Sequence, residues 1–135
     1  MLSVTQKGFT LLELITTFAI VGILITLSYP SYMHYILKTR RTHAQIALVD
    51  LAAGLERYRS SHQTYIGATL NNLEVNAYTE NNYYQIQLNN ATDSTYLLQA
   101  TPLGSQTEDK TCGTLSLDES GQKKFSGNGQ QSACW

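Results

Sequence analysis

The chain opens on a long apolar run. Phe9 to Tyr29 reads FTLLELITTFAIVGILITLSY, 21 residues in which Glu13 is the single formal charge. As a helix rising 1.5 Å per residue it is about 31 Å long, close to the hydrocarbon thickness of a bilayer. A backbone in that medium must satisfy its own polar groups, so the run predicts a helix. Its length and its lack of Lys and Arg separate it from the buried helix of a soluble protein. It is also longer than the apolar region of a cleaved secretory signal, and no small-residue cleavage site follows it, so a retained anchor is expected.

Past Pro30 the helical pattern continues to about Ser60. Ala44, Ala47, Leu48, Leu51, Leu55 and Tyr58 are spaced 3, 1, 3, 4 and 3, which is one face of a 3.6-residue helix. Lys38, Arg41, Asp50, Glu56, Arg57 and Arg59 fall mostly off that face, which is expected to pack on a sheet. A helix over 9–60 is about 78 Å long, with a bend expected at Pro30. Residues 61–82 hold no sustained period and read as a loop with one helical turn near Leu70 to Leu73.

From there the period becomes two. Tyr84, Ile86 and Leu88 share one face of a strand over Tyr83–Leu88, and Tyr96–Thr101 follows after a polar turn. Gly113–Leu117 makes a third strand with Leu115 and Leu117 inward. Asp118–Gly121 is a turn signal, and Gln122–Phe125 a fourth strand. Residues 126–133 are too rich in Gly for a central strand. Short connections predict an antiparallel meander, hence an α+β fold with one long N-terminal helix on a small sheet.

Composition divides the chain in the same way. The 135 residues suffice for one small domain, and the net charge of −1 gives no bulk attraction to nucleic acid or an anionic surface. From Lys38 onward, 8 Lys and Arg stand against 9 Asp and Glu. Two cysteines, Cys112 and Cys134, lie near the C-terminus. An even count in a chain with a membrane segment points to a disulfide in an oxidising compartment, the alternative being two free thiols in the cytosol. Closing that loop stabilises a small head by roughly 3 kcal/mol in the chain-entropy picture. The flanking cations, Lys7 on one side and Lys38, Arg40 and Arg41 on the other, do not orient the span. The cysteines do: a disulfide-bearing head belongs outside, with the N-terminus in the cytoplasm.

Lys7-Gly8-Phe9-Thr10-Leu11-Leu12-Glu13-Leu14 resembles the processing signature of type IV prepilins, with a short polar leader ending in Gly8, Phe next, and Glu fifth after the cut. The tail from Cys112-Gly-Thr-Leu-Ser-Leu-Asp-Glu-Ser-Gly to Cys134-Trp135 is similar to that of PilE-type minor pilins, a group that includes ComP-like DNA-uptake pilins. The resemblance implies the type IV pilin fold, with a leader over 1–8, an N-terminal helix over 9–60 (9–30 being membrane span and then fibre core), and a globular head over 61–135. It implies cleavage between Gly8 and Phe9 by a prepilin peptidase and N-methylation of Phe9. Insertion by the inner-membrane assembly machinery then follows, into a fibre of major and minor pilins. It also implies that Glu13 pairs with the Phe9 amine of a neighbouring subunit and sets axial register, and that the helix around Gly22 and Pro30 can unwind on assembly.

The physical chemistry of these residues agrees. Gly8 lets a protease approach extended backbone, a carboxylate inside a membrane marks function, and Gly and Pro weaken a helix. His34, His43 and His62 lack metal-ligand spacing. Asp118-Glu119 offers one acidic pair against the roughly six to eight oxygens that calcium takes. No nucleophile motif is present, so neither a catalytic role nor a cofactor is expected. Lys110, Lys123 and Lys124 are the candidate DNA contacts, although Glu108, Asp109, Asp118 and Glu119 lie close to them in sequence. Three functions remain: a minor pilin of a Gram-negative type IV pilus serving adhesion, twitching motility or natural transformation; a DNA-receptor pilin; and a type II secretion pseudopilin.

Overall fold

The computed structural model describes residues 8–135. The leader expected over 1–8 therefore lies outside the described residues, apart from Gly8. The chain divides into two compact units, Met1–Ile36 and Leu37–Trp135. The elements are α1 (Leu11–His62), β1 (Tyr84–Asn89), β2 (Leu97–Pro102), β3 (Leu115–Asp118), β4 (Lys123–Phe125) and α2 (Gln131–Cys134), with short 3₁₀ stretches at Glu80–Asn82 and Gly104–Glu108.

In the first unit α1 is assigned as unbroken helix through Gly22 and Pro30. The threonine hydroxyls of its apolar span are satisfied locally. Thr17 Oγ1 donates to the Glu13 carbonyl at 2.7 Å, and Thr26 Oγ1 to that of Ile23 at 2.8 Å. Back-bonding of this kind removes free donors from a surface that is otherwise hydrocarbon.

In the second unit α1 ends where Gln63 turns into left-handed backbone (φ 61°) and its N–H reaches the Arg59 carbonyl at 2.7 Å. The following loop carries the expected turn, with the Leu73 N–H donating to the Thr69 carbonyl at 3.1 Å. The four strands form an antiparallel sheet in the order β1-β2-β3-β4. Register places Leu98 between Leu88 and Leu117, and the small Ala100 between Ile86 and Leu115. These rows and the α1 face of Ala44, Leu48, Leu51 and Leu55 make one buried cluster, closed by Tyr65, Tyr84 and Tyr96. The opposite row, Gln87, Gln99, Ser116 and Lys124, is polar, as a half-buried sheet requires.

One residue departs from the sequence expectation. Arg41 is not on the solvent side of α1 but 8% exposed. Its Nε and Nη2 reach the Asp109 carboxylate at 2.9 and 2.7 Å, and Nη1 donates to the Ala133 carbonyl at 2.7 Å. Gln106, fully buried, donates to the Tyr84 hydroxyl at 3.0 Å and the Leu37 carbonyl at 3.1 Å. Gln45 donates to the Cys134 carbonyl at 2.7 Å. A planar guanidinium that finds a bidentate acid and a carbonyl can be buried where a lone cation cannot.

Cys112 and Cys134 are bonded. Cys112 sits three residues before β3 and Cys134 ends α2, a helical turn the sequence pattern did not announce. Residues 126–129 run alongside 111–114. The Gly129 N–H donates to the Thr111 carbonyl at 2.7 Å and the Gly127 N–H to that of Cys112 at 3.0 Å. A Cβ on Gly127 would run into the Thr111 carbonyl, so the Gly-rich composition here serves close backbone approach.

Removing the Asp109 carboxylate strands Arg41. Asp109→Ala is expected to cost about 3–5 kcal/mol in denaturant unfolding, with much of it regained in Arg41→Met/Asp109→Leu. A single-variant cost below about 1 kcal/mol contradicts this. A second expectation concerns alkali. Burial pushes the Tyr65 and Tyr84 hydroxyls up, and Tyr96 from 10.0 to about 12. The folded state thus holds protons that the unfolded chain releases. This stability is whole below pH 10 and falls as pH rises toward 12. Unfolding midpoints measured across that window, with tyrosinate absorbance as the second probe, check the sign.

Candidate functional site

The N-terminal end of α1 is built by a reciprocal pair. The Thr10 carbonyl accepts the first helical bond, from the Leu14 N–H at 3.2 Å, which makes Thr10 the N-cap. Glu13 Oε2 accepts the Thr10 N–H at 2.8 Å and the Thr10 hydroxyl at 2.9 Å, while the Glu13 N–H reaches Thr10 Oγ1 at 3.3 Å. This is a capping box, and it satisfies helix-end donors that an apolar medium cannot. The carboxylate also sits at the positive end of the helix dipole. Oε2 takes both Thr10 bonds, and Oε1 makes none among the described residues. Thr10 was not singled out from sequence, although Thr10-Leu-Leu-Glu13 matches the S/T-x-x-E signature that reports such a cap.

Gly8 and Phe9 precede the helix, and Phe9 is 92% exposed. Beyond Glu13, α1 shows Leu14, Ile15, Phe18, Ile20, Ile23, Leu24 and Leu27 to the surroundings. By length and composition α1 is long and apolar enough to cross a membrane. Gly22 has no atom near the place of a side chain.

The candidate DNA contacts do not converge. Lys123 and Lys124 are neighbours on β4 and therefore project to opposite faces. Lys124 ends the polar row of the sheet. The Lys123 ammonium lies over the Trp135 ring, 5.2 Å from its centre. Lys110 stands in the turn after the second 3₁₀ stretch, exposed beside the buried Asp109. The tail also covers the β4 edge, where the Gln131 amide donates to the Lys123 carbonyl at 3.0 Å and the Trp135 indole to the Lys124 carbonyl at 2.9 Å. Such capping blunts an open strand edge. Asp118 is consumed by its own turn. The Ser120 hydroxyl first, then the Gln122 and Ser120 N–H groups, hold its carboxyl below the usual range. His62 stacks on Tyr58 with ring centres 4.0 Å apart, and the described residues contain no cluster of metal ligands.

Known proteins place this architecture. Residues 4–29 match the prokaryotic N-terminal methylation motif. Residues 30–116 match the family described as type IV minor pilin ComP, DNA uptake sequence receptor. Fimbrial protein Q of Moraxella bovis is 47% identical over 49 residues, 36% of this chain and 29% of that protein. The type IV major fimbrial protein FimA of Dichelobacter nodosus is 32% identical over 72 residues, 50% of this chain and 45% of that one. The chain thus matches less than half the length of either relative. Among solved structures, a type IV pilin from Shewanella oneidensis aligns with a TM-score of 0.55 and 29% identity, covering 73% of this chain and 97% of that one. The non-core minor pilin PilV of Neisseria meningitidis shares the fold, with a TM-score of 0.57 and 24% identity over 72% of this chain and 93% of that one. With well over half its length matched by one family, the chain belongs to the type IV minor pilins of the ComP family.

Proposed function

We propose that this chain is a structural subunit that primes or joins a type IV pilus in a Gram-negative bacterium. In this reading a prepilin peptidase cuts between Gly8 and Phe9, and the new Phe9 amine is methylated. The subunit waits in the inner membrane with its N-terminus in the cytoplasm and its disulfide-bonded head in the periplasm. The assembly machinery then adds it to a fibre of other pilins, where Gly22 and Pro30 let the helix yield. The observation that carries the reading is the capped carboxylate at the head of an exposed apolar helix. Thr10 holds one Glu13 oxygen in place, and the other, which makes no hydrogen bond among the described residues, is the one that would take the ammonium of a neighbouring Phe9. That pairing supplies register, because an unpaired charge in an apolar fibre core costs several kcal/mol. Glu13→Val is expected to be cut normally yet enter sheared fibres at least about tenfold less than wild type. Thr10→Val, which keeps the charge and loses half of the cap, is expected to fall between them. Immunodetection in sheared fibres and in membranes reads both, and normal incorporation of Glu13→Val sinks the register role.

The family description favours a second reading, display of a DNA receptor on the fibre. Lys110 lies inside the matched region, whereas Lys123 and Lys124 lie beyond it. Because the two β4 lysines face opposite ways, each is expected to act separately. A mobility-shift titration of the full chain in detergent, across a series of salt concentrations, tests this. For each lysine that neutralises a phosphate, Lys110→Ala, Lys123→Ala or Lys124→Ala is expected to flatten the logarithmic salt slope by about 0.9. Absence of salt-sensitive binding rejects the receptor reading and leaves the structural one intact.

A further inference from the structure

One groove on the head unit carries two carboxylates for which the fold has no use. Ile46 and Val49, on the face of α1 turned away from the sheet, are 53% and 48% exposed. Beside them lies a groove of about 310 Å³. Its lining is the apolar Ile46 and Ala47 together with His43 and Asp50, all from α1, and Thr79 and Glu80 from the loop before β1. That loop is held firmly. The Thr79 N–H donates to the Tyr84 carbonyl at 3.0 Å, and Thr79 Oγ1 accepts the Tyr84 N–H at 3.0 Å. Asn81 and Asn82 turn the chain in left-handed backbone, φ 58° and 57°, which asparagine tolerates. Glu80 is thus presented from a preorganised turn, which lowers the ordering cost of any contact it makes. Among the described residues, neither Asp50 nor Glu80 has a hydrogen-bond or ion-pair partner for its side chain.

A groove that sets the apolar Ile46 and Ala47 beside two unpaired acids, with the imidazole of His43 also in its lining, complements a cation on an aliphatic stem. Lysine and arginine side chains lay the stem on apolar surface and keep the charge at a polar rim. We propose that this groove receives a lysine or arginine of the neighbouring pilin subunit in the fibre. The inference rests on the structural-subunit reading and adds to it a contact between heads, separate from the Glu13 register contact.

The test uses the full chain expressed in piliated cells. Asp50→Lys/Glu80→Lys is expected to lower the amount in sheared fibres by at least about fivefold, the equivalent of two surface ion pairs, at unchanged membrane level and disulfide content. A photo-crosslinking residue at Ile46 is expected to join the chain to another pilin, and Asp50→Asn/Glu80→Gln to weaken that crosslink. Where the reversed chain fails to accumulate, the neutral pair decides by the same two readouts. Wild-type incorporation of the neutral or reversed pair, or crosslinks from Ile46 to proteins other than pilins alone, overturns the groove contact and spares the subunit reading. Absence of the wild-type chain itself from fibres overturns both.

Discussion

The Arg41–Asp109 ion pair ties together three parts of the head that have no strand pairing in common. Arg41 belongs to α1, Asp109 follows the second 3₁₀ stretch, and the carbonyl that completes the guanidinium's shell belongs to Ala133 in the tail. Each group depends on the others to be buried at all. A guanidinium and a carboxylate lose several kcal/mol of hydration on entering the interior and recover it only in good geometry. The pair is therefore more a device of specificity than a source of net stability. It tells α1 which rotation to adopt over the sheet and tells the tail where to lie. Gln106 and Gln45 extend the arrangement to the Leu37 and Cys134 carbonyls.

The disulfide works on the same junction from the other side. It fixes the tail at Cys134, next to the carbonyls that Arg41 and Gln45 hold. A tail so fixed puts Gln131 and Trp135 on the carbonyls of β4, the shortest strand and one edge of the sheet. Covalent link, ion pair and edge cover thus form one chain of dependence. The glycines at 127 and 129 let the neighbouring backbones close on each other tightly enough for it.

The N-terminal unit obeys the opposite rule. From Phe9 to Tyr29 its side chains are exposed and mostly apolar, and the one carboxylate there is held by Thr10. Removing such a surface from water, into lipid or against other apolar surface, is favourable. The head pairs Arg41 with Asp109 inside and leaves Asp50 and Glu80 exposed at the groove, whereas the helix leaves its apolar side chains exposed.

Much of this was legible in the residues. The apolar span, the helical face of Ala44, Leu48, Leu51 and Leu55, the alternation of Tyr84, Ile86 and Leu88, and the meander all follow from periods that depend on local geometry. The Thr10–Glu13 cap was equally legible, being a contact across three residues with a known signature. Arg41 was not. Its partners lie 68 and 92 positions away, and a charge set on a helix gives no periodic sign that an acid will arrive from so far. The opposite faces of Lys123 and Lys124 follow from alternation once both stand on one strand, but the sequence did not show that the tail caps their carbonyls. That follows only once β4 has a register and the disulfide has placed Trp135. What the sequence determined by itself is what repeats along the chain: span, faces, strands and the cap. What only the tertiary structure decided is which polar groups meet across it, because burial of a charge is settled by a partner that local pattern cannot name.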